Sequence, residues 1–302
     1  VSGEGILGRL NRWQAAGAVR RTLRRLGLSS PVLLASVPTA IDYVGQLGES
    51  KVVYYITDDF SLWPGGNARK IRQADMELAH AADLLLPCNQ ILADLHADCG
   101  GKMHLLAHAV DLEHFSRDDL SGPEDLPEHS GPRVCFFGLI YEKIDLGLIA
   151  RFARQRPDVQ VVMIGPVKTD ISAAEALGNV VFLGPRDHQD LPSYLQTMDA
   201  LIVPYVRDEE TLRKGPLKIR ECLAAGKPTV ALRIPDLLRY DDLIVLYEQD
   251  DEFADAVDRA LAMVGQTDLA GAMRDRISHD TWASRVEVLF NELDQLDRNE
   301  RR

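Results

Sequence analysis

Short apolar runs alternate with helix-like segments along most of this 302-residue chain, and this alternation limits the folds that it can adopt. Runs without polar residues predict strands buried on both faces, and such strands are typical of parallel sheets covered by helices. In the first part of the chain the predicted strands are Val32–Val37, Val52–Ile56, Leu84–Pro87 and Met103–Ala107, and the predicted helices are Thr39–Leu47, Ala68–Ala82 and Gln90–Asp98.

A polar segment with three prolines, residues 116–132, interrupts the alternation, and its composition predicts a linker. We therefore predict an α/β fold with a first Rossmann-like unit over residues 1–115 and a second over 133–280. A final helix over residues 281–302 is expected to pack back on the first unit. The strands predicted in the second unit are Arg133–Phe137, Val159–Ile164, Val180–Leu183, Ala200–Pro204, Pro228–Leu232 and Leu243–Tyr247. The helices predicted there are Asp145–Arg154, Gln189–Met198, Pro216–Ala225 and Asp251–Val264.

The charge balance argues against a general nucleic-acid-binding protein. The chain has 34 basic and 46 acidic residues and a net charge of −12, whereas a nucleic-acid-binding surface needs excess positive charge. No apolar run approaches the roughly 18–20 residues that span a bilayer. Four cysteines lie far apart without a C-x-x-C pair, so the sequence predicts neither a zinc site nor a disulfide framework, and a reducing cytosol fits best.

The first 25 residues are basic, with six arginines and one acid, and the rest of the chain carries −17. No strand-like run precedes Pro31, so we expect the first unit to lack its beginning in this sequence. Two interpretations of the basic segment are open. An amphipathic helix packs its apolar stripe on the first sheet and leaves the arginines in water, or the arginines contact anionic lipid. The apolar members of the stripe are Leu7, Leu10, Trp13, Val19, Leu23 and Leu26.

The segment Lys214–Gly226 (KGPLKIRECLAAG) carries the strongest local signal for a binding site. Pro216 suits the first position of a helix, and Gly215 before it leaves room for a ligand at the backbone. The amides of Leu217 and Lys218 then point out of the helix start, which favours an anion. The positive charge of Lys218 adds to that preference.

Glu221 lies three residues after Lys218, so both side chains share one face of the predicted helix. A diphosphate near the helix start and a diol one turn along would suit this pair. The alternative is an ordinary surface ion pair between residues i and i+3.

The stretch PLKIRECLAAGKPTV resembles the nucleotide-sugar site of bacterial glycosyltransferases with two Rossmann domains, the GT-B fold. It is most similar to family 4-like members that build polysaccharides, such as the teichuronic-acid enzymes. Further stretches resemble the family in the same order along residues 30–235. They are VVYYITDDFS at 52–61, AADLLLPCNQILADL at 81–95, LLAHAVDLEHF at 105–115, FFGLIYEKIDLGLIARFA at 136–153 and VVFLGPRDHQDLPSYLQTMDALIVPY at 180–205.

The resemblance implies a glycosyltransferase that moves a sugar from a nucleoside diphosphate sugar to an acceptor hydroxyl. It implies that Lys218, the Leu217 amide and Lys143 hold the diphosphate, while Glu221 takes the ribose. Gly138 would let the backbone approach the donor, although a plain turn at the strand end explains it as well. The loop with Arg186 and His188 matches the family's nucleobase loop.

The family's carboxylate pair, two glutamates eight residues apart, is only half present. Glu221 matches the second glutamate, but Arg213 stands where the first is expected. The first glutamate normally faces the donor sugar, so the sequence leaves the identity of that sugar open. Glu209 and Glu210 lie in the same predicted loop and are alternative carboxylates.

Asp58 follows the strand VVYYI and matches an acceptor-side aspartate of the family. A carboxylate there can accept the proton of an attacking hydroxyl. Adjacent acids such as Asp58 and Asp59 are also common as turn formers and helix caps. The loop Asp59–Gly66 is expected to contact the acceptor.

The resemblance predicts no cofactor and no metal ion, since the scheme stabilises the leaving diphosphate with a helix dipole and basic residues. Expected partners are the nucleotide sugar, a glycan or lipid-linked acceptor and, through the basic start, an anionic membrane at the cytoplasmic face. Two alternatives stay open: an epimerase of the same fold, and an inactive nucleotide-sugar-binding or scaffold protein.

Overall fold

The computed structural model describes residues 6–63 and 65–300 and divides the chain into two compact units. The first comprises Val1–His108, Arg213–Gly215 and Arg285–Arg302, and the second comprises Ala109–Leu212 and Pro216–Ser284. Pro64 of the predicted acceptor loop and the side chains of Leu7, Arg9 and Leu10 lie outside the described residues.

The first unit is built on a parallel sheet of four strands in the order β1-β2-β3-β4. Its two middle strands are apolar on both faces, and Val53 pairs with Leu84 across them. Helix α2 covers one face through Leu78. The strands are β1 Val32–Ala35, β2 Lys51–Ile56, β3 Leu84–Pro87 and β4 Lys102–Met103.

The second unit holds a parallel sheet of six strands in the order β10-β9-β8-β5-β6-β7. The chain runs outward from β5 to β7 and then returns to β8 on the other side of β5. Ligands of open α/β sheets bind at such a switch point, beyond the carboxyl ends of the strands. The strands are β5 Arg133–Phe137, β6 Gln160–Ile164, β7 Val180–Gly184, β8 Ala200–Val203, β9 Thr229–Leu232 and β10 Val245–Tyr247.

Helices fill the connections, and in the described part of the chain none is both long and apolar enough to cross a bilayer. The α-helices are α1 Ile6–Arg25, α2 Ala68–Ala81, α3 Gln90–Leu95, α4 Leu112–Phe115, α5 Leu146–Gln155, α6 Ser172–Glu175, α7 Leu191–Gln196, α8 Glu209–Arg213, α9 Leu217–Ala225, α10 Phe253–Leu261, α11 Leu269–Arg276 and α12 Trp282–Glu300. Short 3₁₀ helices span Pro38–Tyr43, Phe60–Leu62, His188–Asp190, Pro235–Tyr240 and Asp250–Glu252.

The predicted α/β class and the two parallel sheets are confirmed, while several predicted elements are shorter. The helix predicted at Thr39–Leu47 is a 3₁₀ helix that ends at Tyr43. Gly45 and Gly48 follow it with φ of 73° and 74°, a conformation that a right-handed helix cannot continue. Strand β4 ends at Met103, although the amide of Leu106 still donates to the Pro87 carbonyl at 2.9 Å.

Helix α1 forms where the basic segment predicts a helix, but its apolar stripe is not buried on the sheet. Trp13 is 65% exposed and Leu26 is 66% exposed. The helix instead packs through the small side chain of Ala16, which is fully buried, and Arg12 lies 3.3 Å from Asp42. The interpretation that the stripe packs on the first sheet is therefore wrong for these side chains.

The predicted linker lies within the second unit, and most of the final helix is grouped with the first. In the linker segment, Asp118 accepts two hydrogen bonds from the Arg274 guanidinium at 2.8 and 3.0 Å, both within the second unit. The structure groups residues 285–302 with the first unit. There Leu289 and Leu293 of α12 pack against the cluster that contains Val53.

Candidate functional site

Three strands of the second sheet end in glycines that lie side by side. Gly138 follows β5, Gly165 follows β6 and Gly184 ends β7. The Gly138 amide donates to the Ile164 carbonyl at 2.8 Å, and the Gly165 amide donates to the Gly184 carbonyl at 2.9 Å. This edge therefore presents bare backbone, which suits the close approach of a ligand.

Backbone crowding explains why glycine is needed at this edge. Gly138 and Gly165 have φ of 134° and 141°, which side-chain-bearing residues rarely adopt. A Cβ atom on Gly165 would lie 1.8 Å from the Gly138 carbonyl oxygen. The sequence analysis found Gly138 and missed Gly165 and Gly184, although each comes at the end of an apolar run, as Gly138 does.

Lys218 and Glu221 lie against this glycine edge. The Lys218 Nζ is 2.7 Å from the Glu221 Oε2 and 3.9 Å above the centre of the Phe137 ring. A Cβ on Gly138 would lie 3.4 Å from the Lys218 Nζ and Cε. The structure thus brings Gly138, Lys218 and Glu221 together, as the sequence predicts. Both charged side chains are largely shielded from water, at 18% and 13% exposure.

Helix α9 begins one residue later than predicted. Pro216 is its N-cap, with φ −69° and ψ 115°, and Leu217 is the first helical residue. The ring fixes only φ, and an extended ψ places Pro216 outside the helix. The first-turn amides of a helix, here including those of Leu217 and Lys218, have no intrahelical partners. No side chain caps this helix start either. Gly215 is buried and is grouped with the first unit.

Lys143 is held by two carboxylates. Its Nζ lies 2.6 Å from the Asp208 Oδ2 and 2.6 Å from the Glu210 Oε2. Burial lowers the pKa of Lys143, but the hydrogen bonds with Asp208 and Glu210 outweigh burial and raise that pKa. Lys143 is therefore a firmly charged side chain bound to Asp208 in the loop after β8 and to Glu210 in helix α8. The sequence analysis missed Asp208, whose pairing partner is 65 residues away.

Arg186 is turned toward the predicted linker segment. Its Nε donates to the Tyr194 hydroxyl at 2.7 Å, and its guanidinium also pairs with Asp125. In the described residues no contact joins it to Lys218 or Glu221. The neighbouring His188 ring stacks on the His114 ring, with centroids 4.4 Å apart and planes 14° apart. The sequence analysis missed His114, because nothing in the spacing links α4 to the loop after β7.

In the first unit, Asp58 and Asp59 follow β2 after the single residue Thr57. Asp58 is partly exposed. Asp59 caps the 3₁₀ helix Phe60–Leu62, because its Oδ1 accepts from the Ser61 amide at 3.1 Å and from the Ser61 hydroxyl at 2.5 Å. The carboxylate of Asp59 also pairs with Arg213. Of the two acids, Asp59 thus has the helix-cap role that the sequence left open for both.

The cysteines Cys88, Cys99, Cys135 and Cys222 are free and buried. Residues 6–63 and 65–300 contain no group of three His, Cys, Asp or Glu side chains placed to hold one metal ion.

Comparison with solved structures identifies the class of fold. The sucrose-phosphate synthase of Thermosynechococcus elongatus superposes with a TM-score of 0.72 at 18% identity, over 98% of this chain and 82% of that chain. Anabaena Alr3699/HepE, solved in complex with UDP, superposes with a TM-score of 0.71 at 15% identity, over 93% of this chain and 82% of that one. The chain has the two-sheet GT-B fold of these glycosyltransferase structures.

Sequence comparison then identifies the domain. Residues 131–263 match the family described as glycosyl transferases group 1. TuaH of Bacillus subtilis (strain 168), named for a teichuronic acid biosynthesis glycosyltransferase, is 29% identical over 206 residues. That match covers 65% of this chain and 52% of TuaH, so the chain spans about half the length of this curated relative.

Proposed function

We propose that this protein transfers a sugar from a nucleoside diphosphate sugar to an acceptor hydroxyl in cell-surface polysaccharide synthesis. One observation carries the proposal: Lys218 and Glu221 lie together at the uncapped start of α9, against the bare backbone of Gly138. The glycosyltransferase group 1 domain over residues 131–263 and the similarity to TuaH support it.

The diphosphate is proposed to lie at the start of α9. Free amides of a helix start and the helix dipole favour an anion, and Lys218 adds a full charge there. As the bond to the sugar breaks, negative charge grows on the leaving diphosphate, and these fixed donors stabilise it without rearranging. The scheme therefore needs neither a cofactor nor a metal ion, and transfer should persist in EDTA.

The rest of the donor is proposed to lie along the same edge. Glu221 accepts hydrogen bonds from the ribose hydroxyls, since a carboxylate has several acceptor sites. The nucleobase lies against the loop after β7, which Arg186 holds in place through Asp125 and Tyr194. Lys143 is a second cation for the phosphates once it leaves Asp208 and Glu210.

On the acceptor side, we assign the proton-accepting role to Asp58. Asp58 follows β2 at the position that matches the family's acceptor-side aspartate, and its neighbour Asp59 is used as a helix cap and in an ion pair. Asp58→Asn should keep donor binding and slow transfer by about 10²-fold or more, the usual contribution of a positioned base. Normal transfer by this variant would remove the role from Asp58.

The experiment that tests the proposed function is a panel of UDP- and GDP-sugars in a thermal-shift assay, followed by mass detection of glycosylated acceptor. We expect one donor to stabilise the protein and to add one sugar mass to an acceptor glycan or lipid-linked glycan. An epimerised sugar released without an acceptor would show an epimerase instead. Binding without turnover under any condition would show a nucleotide-sugar-binding protein.

We also propose that α1 brings the enzyme to an anionic membrane at the cytoplasmic face. In the described part of the chain no acidic side chain pairs with Arg20, Arg21 or Arg24. These arginines line a cavity of about 1020 Å³ together with Trp13. An exposed tryptophan beside unpaired arginines suits the headgroup region of an anionic bilayer.

Vesicle flotation tests the membrane proposal. Each basic residue near an anionic surface contributes about 1 kcal/mol, so replacing Arg20, Arg21 and Arg24 with glutamine should abolish co-flotation with anionic vesicles. The matched control replaces the exposed Arg69, Arg117 and Arg207 in the same way and should float normally. Equal flotation of both variants, or none by the wild type at low salt, would contradict membrane contact.

A further inference from the structure

Asp59 is a buried carboxylate next to the proposed acceptor-side base. Its side chain is only 8% exposed. The Ser61 amide and hydroxyl use one of its oxygens, and the other oxygen pairs with the Arg213 guanidinium. A second arginine, Arg72, is more distant, with its Nη2 3.9 Å from the same oxygen. A charge at this depth is costly without a close partner, and Arg213 is the close one.

The backbone of Arg213 is fixed as well. Its carbonyl oxygen accepts from the Asn89 Nδ2 at 2.8 Å, and Asn89 is 1% exposed. The Oδ1 of the same Asn89 side chain accepts from the backbone amide of Leu92 at 2.9 Å and so caps helix α3. Both ends of Arg213 are therefore held by groups of the first unit, the unit to which residues 213–215 belong.

We infer that Arg213 is a positioning residue for the acceptor-side carboxylate. By neutralising Asp59, it fixes the turn that follows β2 and so orients Asp58, the adjacent residue. The inference rests on the proposed function, because it gives Asp58 a task in transfer. It also explains the missing glutamate: a glutamate at position 213 would set a second carboxylate against the buried Asp59. Restoring the family's residue should therefore damage the enzyme.

The first test is hydrogen exchange of the folded full chain, which does not depend on activity. In Arg213→Ala and Arg213→Glu we expect faster exchange in the segment around residues 58–63, with exchange elsewhere unchanged. Arg213→Lys keeps the charge and should retain protection. Arg207→Ala, which removes an exposed arginine six residues earlier, is the control. Unchanged protection at 58–63 in Arg213→Glu would overturn the inference, whatever the enzyme catalyses.

The second test is kinetic, with the donor and acceptor found in the panel above. We expect Arg213→Ala and Arg213→Glu to lower kcat about 10- to 100-fold, the effect of a slightly misplaced reacting group. Nucleoside diphosphate affinity should stay within about two-fold, as for independent sites. Arg213→Lys keeps a cation for Asp59, so it should restore most of kcat.

The two tests separate the inference from the proposed function. A wild-type enzyme that transfers no sugar contradicts the proposed function, while hydrogen exchange still decides whether Arg213 fixes the turn. Normal kcat in Arg213→Glu, alongside an active wild type, overturns the positioning role alone. A double variant, Asp59→Asn with Arg213→Met, should be less impaired than Arg213→Met, because it removes the uncompensated charge.

Discussion

At the residue scale, the contact between Gly138 and Gly165 sets the shape of the glycine edge. Gly165 combines a φ of 141° with a would-be Cβ that lies 1.8 Å from the Gly138 carbonyl oxygen. Gly165→Ala should therefore lower the free energy of unfolding by about 2–4 kcal/mol through strain and a forced backbone shift. Denaturant unfolding measures this change.

The matched control for Gly165→Ala is Gly178→Ala in the same unit. A Cβ on Gly178 meets no atom within 4 Å, so this substitution should be close to neutral. Equal stability of the two variants would show that the glycine edge tolerates side chains and that its bare backbone is incidental.

Lys218 and Lys143 differ in their surroundings, so their substitution by alanine should have different effects. Lys218→Ala should raise the donor KM and also lower kcat, because the charge that it faces grows in the transition state. Lys143→Ala leaves Asp208 and Glu210 without their cation, so its main effect should be on stability. Steady-state kinetics and thermal unfolding of both variants provide the comparison. A Lys218→Ala enzyme with unchanged kcat would limit Lys218 to binding.

The local part of the site could be predicted from the sequence, and the long-range part could not. Lys218 and Glu221 are three residues apart on one helix, so helical geometry alone puts them together. The partners of Lys143 and Arg186 lie 65 and 61 residues away. Spacing along the chain does not indicate which of many acidic residues such a cation will pair with. The pairing of Arg213 with Asp59 could not be predicted for the same reason.

At the element scale, helix α3 has a buried polar residue at each end. It is six residues long, too short to be stable alone. Asn89 caps its start, and His96 lies at its end with 3% exposure. The His96 Nδ1 donates to the Leu92 carbonyl at 2.8 Å, and the Nε2 lies 3.0 Å from the Asp75 carboxylate. Both nitrogens face acceptors, so the ring is held as imidazolium.

This pair makes the stability of the first unit depend on pH. Burial lowers the pKa of His96, but the hydrogen bond and charge of Asp75 outweigh it, and the pKa is raised overall. The folded state therefore holds the proton more tightly than the unfolded chain, whose histidine pKa is about 6.5. The His96–Asp75 pair makes its full contribution to the free energy of unfolding below that pH. The contribution is lost as the pH rises through the pKa of His96 in the folded state.

The substitution His96→Gln tests this dependence. Its loss of unfolding free energy relative to the wild type should be largest below about pH 6.5, the pKa of histidine in the unfolded chain, and should shrink as the pH rises above it. The control is His80→Gln, which changes an exposed histidine in the same unit and should show a smaller, flatter difference. A loss for His96→Gln that is constant from acid to alkaline pH would contradict a buried imidazolium.

In the secondary structure, too, elements set by their own sequence could be predicted, whereas elements set by tertiary packing could not. The strands Leu84–Pro87 and Arg133–Phe137 have the predicted bounds, because consecutive apolar residues such as Leu84–Leu86 and Val134–Phe137 identify buried strands directly. Helices α4 and α6 have four residues each and were not predicted. So short a segment holds too little of the 3.6-residue period to be recognised, and its ends depend on caps and tertiary packing.

At the scale of the whole molecule, the charge is divided between a basic beginning and an acidic remainder. The two parallel sheets belong to separate units, and each unit has its own buried clusters. In the proposed membrane contact, α1 would provide the basic surface and the acidic remainder would keep the rest of the protein away from the anionic lipid. Sequence composition could predict this division, but not that Trp13 and Leu26 lie exposed beside the arginines.

The central claim is that the second unit binds a nucleoside diphosphate through Glu221 and Lys218 at the start of α9. The most direct measurement is a calorimetric titration of UDP and of GDP into the wild type and into Glu221→Ala. The account predicts binding of one of them by the wild type, weakened in the variant by about 1.5–3 kcal/mol, the value of a hydrogen bond to a charged group. Unchanged affinity in a folded Glu221→Ala protein, or no binding of either nucleotide by the wild type, would contradict it.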